Sequence, residues 1–191
     1  MSHQQSEKNL VWLDLEMTGL DPNRCTIVEI ATVITDSQLN ILAEGPVVAI
    51  HHNPTTLLGM EKWSRDTHTK SGLFKRIEES TISMNEAEEQ TLDFIQQYCP
   101  EKKSPLCGNS IGHDRRFLER YMVGLFDYLH YRNIDVSSVK EVVQRWYPTG
   151  PKAPMKKGKH LALDDIYESI EEMKFYREYY FIKPKEPVGL R

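Results

Sequence analysis

The chain has 191 residues, 39% of them hydrophobic and 27% charged, enough apolar mass for one core and within the size that a single domain closes. A formal charge of −4 opposes a long non-specific nucleic-acid groove, which needs many Lys and Arg to release counterions. It does not oppose a small anionic ligand, because divalent ions held by carboxylates would offset part of that charge. No apolar run approaches membrane-span length, and the polar start Met1–Asn9 lacks a signal core. Cys25, Cys99 and Cys107 are an odd number without C-x-x-C spacing, which opposes a disulfide framework and a thiolate zinc site. The expectation is a cytoplasmic protein with reduced thiols and no membrane partner.

In chain order, apolar and β-branched runs at Leu10–Glu16, Thr26–Thr35 and Ile41–Ile50 are separated by the turns Asp21-Pro22-Asn23 and Asp36–Asn40, predicting an antiparallel three-strand meander. Asn53–Glu79 reads as short helical pieces. Ser83-Met84-Asn85-Glu86 is a capping box opening a helix that Pro100 stops. A fourth strand at Pro105–Cys107 leads through Gly108-Asn109-Ser110 into a helix from about His113 to Leu129, with Phe117, Leu118, Tyr121, Leu125 and Tyr128 at helical spacing. Tyr131–Val136 gives a fifth strand, and Ser137 or Ser138 caps a helix running to Trp146. Pro148–Lys159, with three Pro, two Gly and four Lys, is too broken for regular structure. An amphipathic helix over Leu163–Tyr180 closes the fold, which is an α/β architecture with a mixed five-stranded sheet flanked by helices. One domain over 9–180 is expected, with flexible termini at 1–8 and 181–191.

The most informative stretch is Val11-Trp12-Leu13-Asp14-Leu15-Glu16-Met17-Thr18-Gly19, which sets two carboxylates into an apolar strand. Residues two apart share a strand face, so Asp14 and Glu16 lie within a few ångströms of each other. Buried like charges need a cation or shifted pKa values, and a hard divalent ion suits oxygen ligands. Taken alone, the pair could equally face water or meet Arg24. Two further clusters lie at the ends of elements: Asp114 in the first turn of a helix, and His160 with Asp165 where the last helix begins. His160 and Asp165, five apart, do not share a helical face, so His160 belongs to the preceding loop.

The three clusters together resemble the DEDDh branch of the DEDD 3′→5′ exonuclease family. Its first motif corresponds to Asp14-Leu15-Glu16-Met17-Thr18-Gly19, its second to Gly108–Leu118 and its third to His160-Leu161-Ala162-Leu163-Asp164-Asp165. The string DLEMTGLD, Thr67-His68-Thr69 and His130–Ser137 are similar to the oligoribonuclease group of that family, over roughly Asn9–Tyr180. The resemblance implies a ribonuclease H-like fold, a homodimer, and 3′→5′ hydrolysis of very short RNA, dinucleotides especially, to 5′-mononucleotides. It also selects Asp165 over its neighbour Asp164.

Chemistry fits those implications. Asp14, Glu16, Asp114 and Asp165 would balance two divalent cations, Mg2+ or Mn2+, which clamp the attacking and leaving oxygens of a phosphodiester at a separation of about 3.5–4 Å. His160 would act as general base. Leu20 could insert at the bases, Trp63 and His68 could stack or contact the terminal nucleotide, and Ser110, Ser137 and Arg132 could hold a phosphate. For Leu20, Trp63 and Tyr131, core or dimer packing is the competing reading, and the resemblance assigns Tyr131 a part in activity. Two alternatives remain open: an exonuclease acting on longer DNA or RNA, and a catalytically silent nucleotide-binding scaffold.

Overall fold

The computed structural model of the chain describes residues 5–154 and 161–182. Five strands form one mixed sheet in the order β3-β2-β1-β4-β5. They are β1 (Leu10–Met17), β2 (Ile27–Thr35), β3 (Ile41–Ala49), β4 (Pro105–Gly108) and β5 (His130–Asp135). The meander expected from the three N-terminal runs is present, with β1, β2 and β3 antiparallel. β4 and β5 add in parallel beyond β1, each reached through helices, as parallel pairing requires.

Strand alternation divides the core in two. Val11, Leu13 and Leu15 of β1 pack on one face beside Ile95, Phe117, Leu118 and Leu125. Those residues come from α4 (Met84–Gln96), α5 (Gly112–Tyr121) and α6 (Val123–Tyr128). Trp12 points to the other face, where Val136 and Val143 of α7 (Val136–Trp146) and Ile166 and Ile170 of α8 (Ala162–Tyr179) pack. By the same period of two, Asp14 and Glu16 project toward α8. β1 is central and fully flanked, so the acidic pair sits at the C-terminal end of a rigid strand.

The Asn53–Glu79 region resolves into three short helices, α1 (Pro54–Leu58), α2 (Lys62–Ser71) and α3 (Leu73–Glu79). The capping box at α4 is formed in both directions: Glu86 N–H donates to Ser83 Oγ, and Ser83 N–H donates to the Glu86 carboxylate.

Three expectations change. The helix read over His113–Leu129 is two helices, broken at Met122, whose φ of −138° leaves the helical region while its side chain is fully buried. Glu88 of α4 accepts the Leu125 N–H at 2.9 Å, so the first turn of α6 is held from a different helix. The cap of α7 is neither Ser137 nor Ser138 but Asp135, whose carboxylate accepts the Ser137 N–H at 2.9 Å because β5 ends at that residue. Residues 5–8, read as a loose terminus, are tied down where Ser6 N–H donates to Tyr98 O at 3.0 Å. His160, Lys156, Lys157, Lys159 and the tail from 183 onward lie outside the described residues. No helix among the described residues is long and apolar enough to cross a membrane.

Candidate active site

β1 and the first turn of α8 bring Asp14, Glu16 and Asp165 together, each with a carboxylate oxygen within 4.8 Å of the others. Asp114, in the first turn of α5, stands behind them. It is 6% exposed, and its Oδ1 accepts the Leu15 N–H at 2.9 Å, which pins β1 to α5 between Asp14 and Glu16. Thus three of the four expected carboxylates form the cluster, while the fourth spends one oxygen on the strand that carries it.

The electrostatics call for a cation. The Glu16 carboxyl is pushed up to about 8, by burial first and then by the nearby charges of Asp165, Glu29 and Asp114, with Arg76 partly offsetting them. Burial likewise lifts Asp114 to about 7 against the opposing Leu15 hydrogen bond. Crowded, desolvated oxygen donors of this kind fit hard divalent ions, whose charge would return these groups to the carboxylate form.

A cavity of about 200 Å³ opens at the cluster, bordered by Asp14, Glu16, Asp165, Leu20, Trp63 and His68. Leu20 and Trp63 are 62% and 65% exposed at its mouth, so neither is a core residue. Ser64 and His68, four apart on α2, turn the buried face of that helix toward β1. His68 is only 1% exposed. Its Nε2 lies 2.9 Å from Met17 O, an atom that can only accept, so Nε2 carries the proton, and Nδ1 faces Glu16 Oε2 at 3.7 Å. Its place is behind Glu16, as a support, rather than as an exposed stacking surface.

The turn after β1 explains the Thr-Gly of the first motif. Thr18 O accepts the Glu61 N–H at 2.8 Å, and Thr18 Oγ1 accepts the Thr26 N–H at 3.0 Å. A Cβ on Gly19 would fall 2.4 Å from Glu61 Cδ and 2.6 Å from Cys25 Sγ, so only glycine admits α2 this close to the carboxylates.

Ser110 and Ser137 are neighbours, their hydroxyls 3.0 Å apart. Ser110 holds a left-handed φ of 52°, kept there by its N–H donating to Asp135 Oδ1 and Ser137 Oγ, both at 2.9 Å. Tyr131 and Arg132 do not border the carboxylate cavity. They are exposed on the edge strand β5, with the Arg132 guanidinium 5.2 Å from the Tyr131 ring centroid.

Two contributors escaped the sequence reading. Glu29 of β2 is fully buried, lies opposite Glu16 in the strand register and is ion-paired to Arg76 of α3. The signal was a single carboxylate inside the otherwise apolar run Ile27–Thr35, the same anomaly that marks β1. Asn109 joins Ser137 to α8 by side-chain hydrogen bonds. Nothing in its local sequence distinguishes it from an ordinary turn asparagine.

Residues 11–173 match the RNase_T exonuclease family. The oligoribonuclease of Pseudomonas savastanoi pv. phaseolicola is 58% identical over 181 residues, covering 94% of this chain and 99% of that protein. That of Vibrio cholerae is 57% identical over 176 residues, covering 92% and 97%. Among solved structures, E. coli exonuclease I in complex with a dT13 oligonucleotide superposes with a TM-score of 0.70 at 15% identity, over 90% of this chain and 41% of that one. Exonuclease I of Methylocaldum szegediense gives 0.61 at 16% identity, over 89% and 40%. These distant neighbours establish the ribonuclease H-like fold. With the close relatives matched almost end to end, the chain belongs to the oligoribonuclease family of RNase_T exonucleases.

Proposed function

We propose that the protein is a 3′→5′ exoribonuclease that hydrolyses very short oligoribonucleotides, dinucleotides above all, to 5′-mononucleotides, completing RNA degradation. The observation that carries this reading is the convergence of Asp14, Glu16 and Asp165 on a cavity of only about 200 Å³ with Leu20 and Trp63 at its mouth. Close relatives named oligoribonuclease support it.

Two divalent cations, Mg2+ or Mn2+, when bound, supply activation of the attacking water and charge compensation at the departing 3′-oxygen. Asp14, Glu16 and Asp165 would hold them, with Asp114 behind, and His68 keeps Glu16 oriented. His160 accepts the proton of the water that attacks phosphorus. Leu20 and Trp63 flank the bases, while Ser110, Ser137 and Arg132 hold the 5′-phosphate of the fragment. Tyr131 and Arg132, exposed on β5, work within a homodimer in which a second copy covers that edge. The exonuclease domain spans 9–180, and the buried free thiols Cys25, Cys99 and Cys107 accord with a cytoplasmic setting.

The test compares kcat/KM on a dinucleotide and on a roughly ten-nucleotide RNA at fixed salt, since polymer binding varies with ionic strength. The dinucleotide should win, and excess chelator should abolish turnover. His160→Ala should lower kcat by about 10²–10⁴ without loss of Mn2+ binding. Equal efficiency on the longer strand would instead favour a general exonuclease, and no turnover of either would favour a silent scaffold.

A further inference from the structure

A chain of hydrogen bonds crosses the molecule from the Ser110–Ser137 pair to the helix that carries Asp165, and its direction is fixed by what each atom can do. Ser169 Oγ lies 2.8 Å from Asp165 O, a carbonyl that can only accept, so the Ser169 hydroxyl donates there. Its oxygen then accepts from Asn109 Nδ2 at 2.8 Å. The second amide hydrogen of Asn109 goes to Glu172 Oε2 at 3.2 Å, a carboxylate held by Tyr176 and Lys140. Asn109 Oδ1 is therefore left to accept, and it takes the Ser137 hydroxyl proton at 3.0 Å. The Ser137 oxygen accepts in turn from Ser110 N–H and from Ser110 Oγ–H. Every hydrogen along the route runs one way, from Ser110 to the backbone of Asp165. The Asn109 amide is its one junction, and a flipped amide would set its oxygen against the buried Glu172 carboxylate.

We infer that Asn109 is a positioning residue that couples the phosphate-holding serines to the carboxylate cluster. This rests on the reading above, in which Ser110 and Ser137 hold the fragment's 5′-phosphate and Asp165 is a metal ligand. The network runs from the exposed Ser110 through the half-buried Ser137 and Asn109 to the buried Ser169 and Glu172, and because every member is satisfied a change at its outer end bears on the inner one. Here Asn109 holds the first turns of α8 at a set distance from β4, and that distance sets how far Asp165 stands from Asp14 and Glu16. A phosphate takes the protons of both hydroxyls, so the Ser137 Oγ–H turns away from Asn109 Oδ1 and Asn109 is left to carry the position of α8 through Ser169 and Glu172. The 5′-phosphate then contributes to the alignment of the reacting end as well as to affinity.

Two measurements test this. In Mn2+ titrations followed by electron paramagnetic resonance, Asn109→Ala and Ser169→Ala should each weaken binding by about 10–100-fold, typical for the loss of a group that orients a metal ligand. Asn109→Asp, which opposes a carboxylate to Glu172, should do the same. Adding Glu172→Gln to Asn109→Asp should restore affinity, because the new amide can donate to the new carboxylate. In steady-state kinetics, a 5′-phosphate on the dinucleotide should raise wild-type kcat severalfold as well as lower KM. Asn109→Ala should erase the kcat gain and retain the KM difference. Unchanged Mn2+ affinity in both alanine variants, or a kcat gain that survives Asn109→Ala, overturns the inference even when dinucleotide hydrolysis is robust. Weakened Mn2+ binding in both alanine variants, together with a wild-type chain that hydrolyses no dinucleotide, supports the positioning role and overturns the substrate reading instead.

Discussion

Glu16 and Asp114 illustrate what crowded, buried carboxylates cost a fold when no cation pairs with them. In the metal-free chain the folded Glu16 carboxyl titrates near 8 against an ordinary 4.5, and Asp114 near 7 against 3.8. Between those limits the folded chain keeps protons that the unfolded chain has released. The stabilisation from these raised pKa values is therefore full below about pH 4 and is lost as pH rises toward 8. In chelator, the melting temperature should fall from pH 5 to pH 8 by the share of these two groups. Mn2+ should restore it more at pH 8 than at pH 5, because protons compete for the same oxygens. A melting temperature in chelator that rises steadily over this range, measured by differential scanning calorimetry, would contradict the assignment. Gly19 sets a second residue-level limit. Gly19→Ala would drive a methyl into Cys25 Sγ, buried and unable to yield, and so displace the turn that presents Leu20. Turnover should drop at least tenfold while Mn2+ binding at Asp14 and Asp165 persists, and a paired titration and rate measurement separates the two effects.

At the scale of elements, stability and activity separate by face. α4 lies on the side of the sheet away from the carboxylates, so its capping box serves the fold alone. Ser83→Ala should cost about 1 kcal/mol of unfolding free energy and leave dinucleotide turnover unchanged, as urea titration and a rate assay would show. α2 and α8 serve the site instead. α2 presents Ser64 and His68 to β1, and α8 places Asp164 and Asp165 in its first turn. The two acids are sorted by their neighbours. Asp165 joins the cluster, whereas Asp164 borders an adjoining cavity with Glu29 and Arg76.

For the whole molecule, the homodimer proposed above would use the exposed edge strand β5 and the outer face of α7. Trp146 is 72% and Tyr131 70% exposed, whereas the nearby aromatics Phe126 and Tyr128 pack against the core. Light scattering should give a dimer mass at micromolar concentration, and Trp146→Glu should shift it toward monomer by placing a charge in a desolvated contact. A monomer mass for the wild-type chain would remove the dimer and with it the role proposed for Tyr131.

The sequence by itself determined the meander, the capping box, the shared strand face of Asp14 and Glu16 and the order of the acidic motifs. Each rests on local signals: period-two alternation, turn residues, or a pattern within a few positions. The tertiary structure decided what depends on partners distant in the chain. The break at Met122 is held by Glu88 across two helices, and the α7 cap falls to Asp135 because β5 ends there against β4. His68 became a buried support because α2 folds onto β1, and Glu29 acquired its meaning only when strand pairing set it opposite Glu16. Asn109 is the clearest case. A turn asparagine is unremarkable by composition, and its role arises from Ser137, Ser169 and Glu172, 28 to 63 residues away, which only the packing of α7 and α8 on one sheet face brings within hydrogen-bonding reach.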